Sequence, residues 1–408
     1  MPGEVRSLSS RVVVTGAGVI SSIGAGADDF ERGLYAGTTG VGPSQLFGEG
    51  ATTAEVRDFA PQNWLGPKGL RVLDRSARLV CVSSHMALCE AGLSQADAAE
   101  GDPGLGLICG TMFGSLHSIT SFDWSGLTEG PNLVNPMAFP NTVINSPAGH
   151  AAIKHKLRGV NSTICAGLAS GLYAMHYAAE FLRFGRAKAL LAGGVEELCE
   201  ESFLGFRKMG AASASGSIRP FAADRDGSVL GDGSALWMLE TEDAACARGL
   251  RPVLEVGGFG SAHDAHSTSA FDVRADGATS AIRQALAASE IGPEQIACII
   301  SGASGSRAGD LMEARALRNV FGDLLGGIPV SAPKAAFGEG LGVSGAFCAL
   351  AGGLALHRQS APPTAGYKES EFGLRLSAEA QPFQGKHVLI NAFGCDGNNA
   401  ALVLNLRT

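Results

Sequence analysis

The sequence lacks the features that mark several common classes of protein. Its nine cysteines are odd in number and scattered, with no C-x-x-C pair, which argues for reduced thiols and against a disulfide framework or a zinc site. No apolar run is long enough to cross a bilayer, and no charged-then-apolar leader opens the chain. A net charge of -8 offers no electrostatic footprint for nucleic acid. We therefore expect a cytoplasmic chain with no membrane span and no nucleic-acid partner.

A cofactor motif is also missing. The buried strand Arg11–Gly16 runs into a glycine-rich turn, but the G-x-G-x-x-G spacing of a dinucleotide loop is absent. His263 and His266 are spaced H-x-x-H without further metal ligands, so we interpret them as ordinary loop residues. We expect no bound cofactor and no metal.

The most informative stretch present is 161–171. A β-prone run ends at Cys165, small residues follow, and a helical pattern begins near Leu172. A cysteine at a strand-to-helix turn lies near unpaired N–H groups and the positive end of the helix dipole, an environment that favours the thiolate. Two interpretations stay open at this point, a nucleophilic Cys165 and a buried structural thiol.

The 408 residues contain 57 glycines and are 45% hydrophobic, enough for a large core with many tight turns. A strand, a glycine-rich turn and a helix around Cys165 recur in the second half, where the turn begins at Phe337, and another glycine-rich turn begins at Phe393. This repetition predicts a duplicated α/β core with helices between sheets, in which the three turns converge. Residues 111–149 hold four prolines and are expected to form a long irregular excursion.

With these turns placed, the sequence resembles the β-ketoacyl-acyl-carrier-protein synthases, or ketosynthases, of the thiolase superfamily. The resemblance runs from Arg11 to about Leu404. It rests on RVVVTGAGVIS at 11–21, TICAG at 163–167, AGGVE at 192–196, RPF…DRDG at 219–227, GDG at 231–233 and FGxxGxN at 393–399.

The resemblance implies a five-layered α-β-α-β-α thiolase fold, with one ketosynthase half at 1–252 and the other at 253–408. It also implies a dimer, formed with a second copy or with another ketosynthase. Acyl chains would arrive as thioesters on the phosphopantetheine of an acyl carrier protein, or on CoA. Within this family Cys165 corresponds to the acyl-accepting nucleophile.

Two departures remove the histidines that the family uses for decarboxylation. Where the family has His-Gly-Thr-x-Thr, this chain has GASGS at 302–306, so Gly302 replaces the first histidine. Where the family has Lys-x-x-x-Gly-His, this chain has KAAFGE at 334–339, so Glu339 replaces the second. Lys334, Asp310 and Glu313 match the family pattern. The resemblance thus describes a degenerate member lacking both active-site histidines.

Several roles remain open for the residues around the thiol. Glu339 is a hydrogen-bond donor when protonated, a general base, or a structural partner of Lys334. Ser304 is a candidate substitute for the missing groups. The backbone N–H of Cys395 is expected to act with that of Cys165 as an oxyanion donor. The expected substrate-lining residues are Met112, Phe113, Gly302, Ser306, Phe393 and Gly394, with Phe113 shortening the acyl tunnel.

Three functions fit these features. In the favoured one, Cys165 accepts an acyl group and transfers it, with decarboxylative condensation impaired or altered. In the second, the chain resembles the chain-length factors, non-condensing partners of active ketosynthases. In the third, it is a decarboxylating condensing enzyme whose active site has been modified.

Overall fold

The computed structural model describes residues 10–94 and 100–407. The elements before residue 253 are strands β1 (Val12–Ser21), β2 (Gly24–Ala25), β3 (Gly42–Pro43), β4 (Thr52–Thr53), β5 (Leu105–Gly110), β6 (Asn161–Ile164), β7 (Ala189–Glu196) and β8 (Gly233–Thr241), and helices α1 (Ala27–Tyr35), α2 (Gln62–Leu65), α3 (Arg75–Glu90), α4 (Leu116–Thr128), α5 (Ser146–His155), α6 (Ser170–Arg183), α7 (Glu200–Lys208) and α8 (Glu242–Ala247).

The elements after residue 253 are strands β9 (Leu254–His263), β10 (Ile296–Ile300), β11 (Val330–Ser331), β12 (Ser360–Ala361), β13 (Gln381–Pro382), β14 (His387–Phe393) and β15 (Asn398–Leu406), and helices α9 (Asp276–Ala288), α10 (Arg307–Phe321), α11 (Lys334–Phe337) and α12 (Ser344–Arg358). Short 3₁₀ helices occupy Leu70–Val72, Pro136–Asn141, Gly167–Ala169, Pro293–Gln295, Gly322–Gly327 and Leu341–Val343.

The two parts of the chain build sheets of the same topology. The first sheet has the order β6-β5-β7-β8-β1 and the second has the order β11-β10-β14-β15-β9. In both, the first three strands are parallel and the last two run antiparallel to their neighbours. The sheets join where β1 meets β9 at Val12 and Val13. The predicted duplicated α/β core is confirmed.

The helices form the remaining layers. α6 and α12 lie between the sheets in one continuous apolar core, α3 and α5 cover the outer face of the first sheet, and α9 and α10 cover that of the second. The stretch Leu341–Arg358 has the length and composition of a membrane span, but 83% of it is buried inside the protein. It is the central helix of this five-layered α-β-α-β-α arrangement.

The expectation of an irregular segment over 111–149 is wrong in its first half. α4 spans Leu116–Thr128, and a 3₁₀ helix spans Pro136–Asn141. The prolines that suggested irregularity begin only at Pro131, so thirteen residues before them are free to form helical hydrogen bonds. α4 nevertheless buries none of its residues within this chain.

Candidate active site

The three glycine-rich turns meet, as predicted. Leu168 from the first turn, Glu339 from the second and Phe393 from the third line one narrow cleft. Gly302, Ser304 and Ser306, which follow β10, complete it. Parallel strands end at the same edge of a sheet, and the pseudo-symmetric packing brings the two edges together. The cleft has a volume of about 10 Å³, close to the minimum that holds one water molecule.

Cys165 lies in the turn between β6 and α6 and is exposed on this chain. Its Sγ donates to the carbonyl oxygen of Met112 at 3.3 Å. Partial burial raises the pKa of the thiol, and the charges of Glu196 and Asp396 raise it further. The hydrogen bond from the N–H of Gly167 lowers the pKa, but the net value is above the ordinary one. The expected thiolate-favouring environment is therefore wrong, because two carboxylates and desolvation outweigh one backbone donor.

Glu196 lies near Cys165 and holds the surrounding backbone in place. The buried carboxylate at the end of β7 accepts hydrogen bonds from Met112 N (2.7 Å), Phe113 N (3.1 Å) and Gly342 N (3.0 Å). Burial raises its pKa to about 7 despite these donors. Glu196 thus ties the ends of β5 and β7 to the turn that precedes α12.

Lys334 and Glu339, both predicted site residues, form a buried ion pair. Lys334 Nζ donates to Glu339 Oε2 at 2.7 Å, and both side chains are only 3% exposed. The other oxygen of Glu339 accepts from Ser344 Oγ at 2.6 Å and Leu341 N at 3.1 Å. Burial lowers the pKa of Lys334, but the charge and hydrogen bond of Glu339, together with the charges of Cys348 and Glu313, outweigh that effect and the net pKa is raised. Both carboxylate oxygens of Glu339 therefore have partners already.

Two buried carboxylates accept hydrogen bonds from the backbone of the stretch after β10. Glu313 accepts from Gly302 N at 3.2 Å and Asn391 Nδ2 at 2.9 Å. Asp310 accepts from Ser304 N at 3.2 Å, and burial raises its pKa to about 7. Ser306 Oγ accepts from Gly309 N at the start of α10, so this hydroxyl caps the helix as well as lining the cleft.

Gly302 has no room for the side chain that the family carries at this position. A Cβ built on Gly302 would lie 2.8 Å from the main-chain oxygen of Asn391, closer than real Cβ atoms approach a carbonyl.

Met112 and Phe113 pack in a small apolar cluster formed around buried Leu198, Leu230 and Leu341. These two side chains, which were predicted to line an acyl tunnel, therefore pack within this apolar cluster.

The turn between β14 and β15 contains Phe393, Gly394, Cys395 and Asp396. Phe393 is buried and Cys395 is half-buried. Asp396 Oδ2 accepts from Asn398 Nδ2 at 2.7 Å. The same oxygen lies against Gly167 so closely that a Cβ on Gly167 would overlap it. The oxyanion role of the Cys395 N–H stays a prediction.

His263, interpreted above as a loop residue, is bound to the main chain on both sides. Its Nε2 donates to the carbonyl oxygen of Asp396 at 3.1 Å, and its Nδ1 accepts from Ala265 N at 3.0 Å. The imidazole ring thereby holds the β14–β15 turn in place. Within residues 10–94 and 100–407, no three side chains of His, Cys, Asp or Glu are grouped as a metal site.

Sequence reasoning missed two residues of this site. Glu196 and Asp396 both act on Cys165 through their charge, yet neither was singled out. The available signals were an acidic residue ending the fully buried strand β7 and an aspartate inside the glycine-rich turn 394–397.

Comparison with known proteins agrees with this geometry. The family model "Beta-ketoacyl synthase, N-terminal domain" matches residues 9–245, and "Beta-ketoacyl synthase, C-terminal domain" matches residues 253–368. The chain belongs to the β-ketoacyl synthase family. The division after residue 252 stays a prediction.

Among its relatives is the 3-oxoacyl-[acyl-carrier-protein] synthase 2 of Coxiella burnetii, 32% identical over 97% of this chain and 98% of the relative. A solved structure titled "The ishigamide ketosynthase/chain length factor" is 31% identical, with a TM-score of 0.91 over 98% of this chain and 100% of that one. A β-ketoacyl synthase from Burkholderia phymatum is 26% identical with a TM-score of 0.88, covering 98% of this chain and 100% of its own.

Proposed function

We propose that this chain accepts an acyl group on Cys165 from an acyl carrier protein or CoA and transfers it without decarboxylating a malonyl unit. The observation behind this proposal is a contrast within one site. The nucleophile remains exposed at the end of β6, whereas the two positions of the family histidines hold Gly302 and Glu339. The family's thiol is kept and its enolate-stabilising donors are absent from their positions.

The energetics favour transfer over condensation. Losing one hydrogen-bond donor to a developing oxyanion costs on the order of 3–4 kcal/mol of transition-state stabilisation. Both carboxylate oxygens of Glu339 already accept hydrogen bonds, from Lys334, Ser344 and Leu341, so Glu339 is not placed as a donor to an enolate. The carboxylates of Glu196 and Asp396 raise the pKa of Cys165 and would likewise repel an enolate anion formed beside it.

The proposed carrier follows from the relatives, several of which are named 3-oxoacyl-[acyl-carrier-protein] synthases. All nine cysteines are free, which fits a reaction in a reducing cytoplasm. We place the acyl thioester at Cys165 with the phosphopantetheine arm entering above the cleft.

The direct test is intact-protein mass spectrometry after incubation with an acyl carrier protein loaded with a short acyl chain. We expect one acyl mass on Cys165, absent in Cys165→Ala and retained in Cys89→Ala, which removes another exposed thiol. A wild-type protein that gains no mass under these conditions contradicts the proposal.

A second candidate function is a chain-length-factor-like subunit paired with an active ketosynthase. It is favoured by exposed apolar side chains on α4 and the segment after it: Trp124 (66% exposed), Leu127 (80%), Leu133 (69%) and Met137 (76%). Apolar side chains in such number indicate a covered surface. A homodimer would equally cover them.

Analytical ultracentrifugation of the purified chain, alone and mixed with an active ketosynthase, separates the two assemblies. A stable homodimer that takes up acyl mass supports the enzyme. A monomer that dimerises only with the active ketosynthase, and takes up no acyl mass, supports the partner role.

A further inference from the structure

Asp396 stands close to the nucleophile, in the glycine-rich turn between β14 and β15. Its carboxylate rests on Gly167, the residue whose N–H donates to Cys165 Sγ. Gly167 has a φ of +55°, and any side chain there would overlap Asp396 Oδ2. Gly167 therefore touches both the carboxylate of Asp396 and the thiol of Cys165, and it has no side chain that would lie between them.

Hydrogen bonds orient the carboxylate of Asp396 without using all of its capacity to accept them. Asn398 donates to its Oδ2 at 2.7 Å, and the N–H of Asn398 approaches Oδ1 at 3.4 Å. A carboxylate accepts about four hydrogen bonds, so lone pairs remain for a further donor. The turn itself is fixed by His263, which donates to the Asp396 carbonyl.

The other two carboxylates at the site are not available in this way. Glu339 is paired with buried Lys334 and accepts two further hydrogen bonds. Glu196 is 1% exposed and is surrounded by backbone donors. Of these three, Asp396 alone is half-buried, and its charge acts on the thiol.

We propose that Asp396 is the proton acceptor for transfer of the acyl group from Cys165 to a hydroxyl or amine nucleophile. This inference rests on the proposed function, since it requires an acylated Cys165. It names the acceptor class as a neutral nucleophile that arrives with a proton, in contrast to the carbanion of a condensing enzyme.

The step balances without a further reagent. The acceptor oxygen or nitrogen attacks the thioester carbonyl and forms a C–O or C–N bond while its proton passes to Asp396. The C–S bond then breaks, and the departing thiolate takes that proton from Asp396, which restores the thiol and the carboxylate. The raised pKa of the thiol makes this return of the proton favourable.

The experiment compares two kinds of acceptor on acylated protein. Wild type, Asp396→Asn and Asp396→Gly are acylated with an acyl-carrier-protein thioester and freed of donor. They are then chased at neutral pH with ethanolamine or with thioacetate, a sulfur nucleophile that is already ionised at that pH. Loss of the acyl mass from Cys165 gives the rate. General-base catalysis contributes roughly 10²–10⁴-fold. We therefore expect both variants to slow transfer to ethanolamine by at least about 100-fold.

Transfer to the ionised sulfur nucleophile separates the loss of a proton acceptor from general damage to the fold, because that nucleophile brings no proton. We expect its rate to be unchanged or increased in both variants, since removing Asp396 also removes a negative charge. Equal slowing of both acceptors, or no slowing of either, overturns the role of Asp396. A wild-type protein that never acquires an acyl mass overturns the proposed function itself, and with it this inference.

Discussion

Replacing Glu339 by glutamine tests whether this residue is fixed by the buried ion pair. The substitution keeps the shape and the acceptor for Leu341 N and Ser344 Oγ, but it removes the charge opposite Lys334, which lies 2.7 Å away and is 3% exposed. Breaking a buried pair leaves an uncompensated charge and typically costs 3–5 kcal/mol. We expect Glu339→Gln to lower the free energy of unfolding by about 3–5 kcal/mol.

The assay is urea unfolding followed by tryptophan fluorescence. The double variant Lys334→Met/Glu339→Gln should recover most of the loss, because no buried charge then remains unpaired. The matched control is Asp29→Asn, which breaks the exposed pair with Arg32 and should change stability by no more than about 1 kcal/mol. A Glu339→Gln variant that unfolds within about 1 kcal/mol of wild type would refute the reasoning. Glu339→His should be destabilised as well, because a neutral imidazole cannot neutralise Lys334.

Three further predictions follow from the site. Gly302→Ala should lower stability by about 1–3 kcal/mol in the same urea assay, because its Cβ meets the Asn391 carbonyl; unchanged stability would show that the backbone yields. Cys165 should react with iodoacetamide at pH 7.5 more slowly than Cys89, measured by peptide mass spectrometry, because burial and the charges of two carboxylates raise its pKa; equal rates would contradict a raised pKa. Burial raises the pKa of Glu196 from 4.5 to about 7. The folded state then holds a proton that the unfolded state releases, so stability falls as pH rises through that window, by about 3 kcal/mol. Glu196→Gln should remove this fall, and a pH profile parallel to wild type would disprove the assignment.

Much of the architecture could be predicted from local patterns. The two buried parallel strands β5 and β10, and the strand–turn–helix units at Cys165 and Phe337, are visible as apolar runs ending in glycines. Asp74 caps α3 by accepting from Ala77 N at 2.9 Å, so the start of that helix is marked by a residue next to it in the sequence. These features depend on residues close in sequence, which is why the sequence reveals them.

The charge environment of the thiol could not be predicted in the same way. Asp396 and Gly167 are more than two hundred residues apart and meet only when the turns converge. The predicted helix-dipole effect on Cys165 considered one neighbouring element, whereas burial and the carboxylates from β7 and the β14–β15 turn raise the pKa of the thiol. α4 was missed because proline content was averaged over a segment whose prolines lie at one end.

The most direct test of the central claim is a single-turnover measurement of CO₂ released from malonyl-acyl carrier protein by protein acylated on Cys165. We expect the acyl group to stay on Cys165 and no CO₂ to be released above the Cys165→Ala background. Malonyl-dependent CO₂ release with loss of the acyl mass from Cys165 would contradict it, because the site would then stabilise an enolate without either histidine.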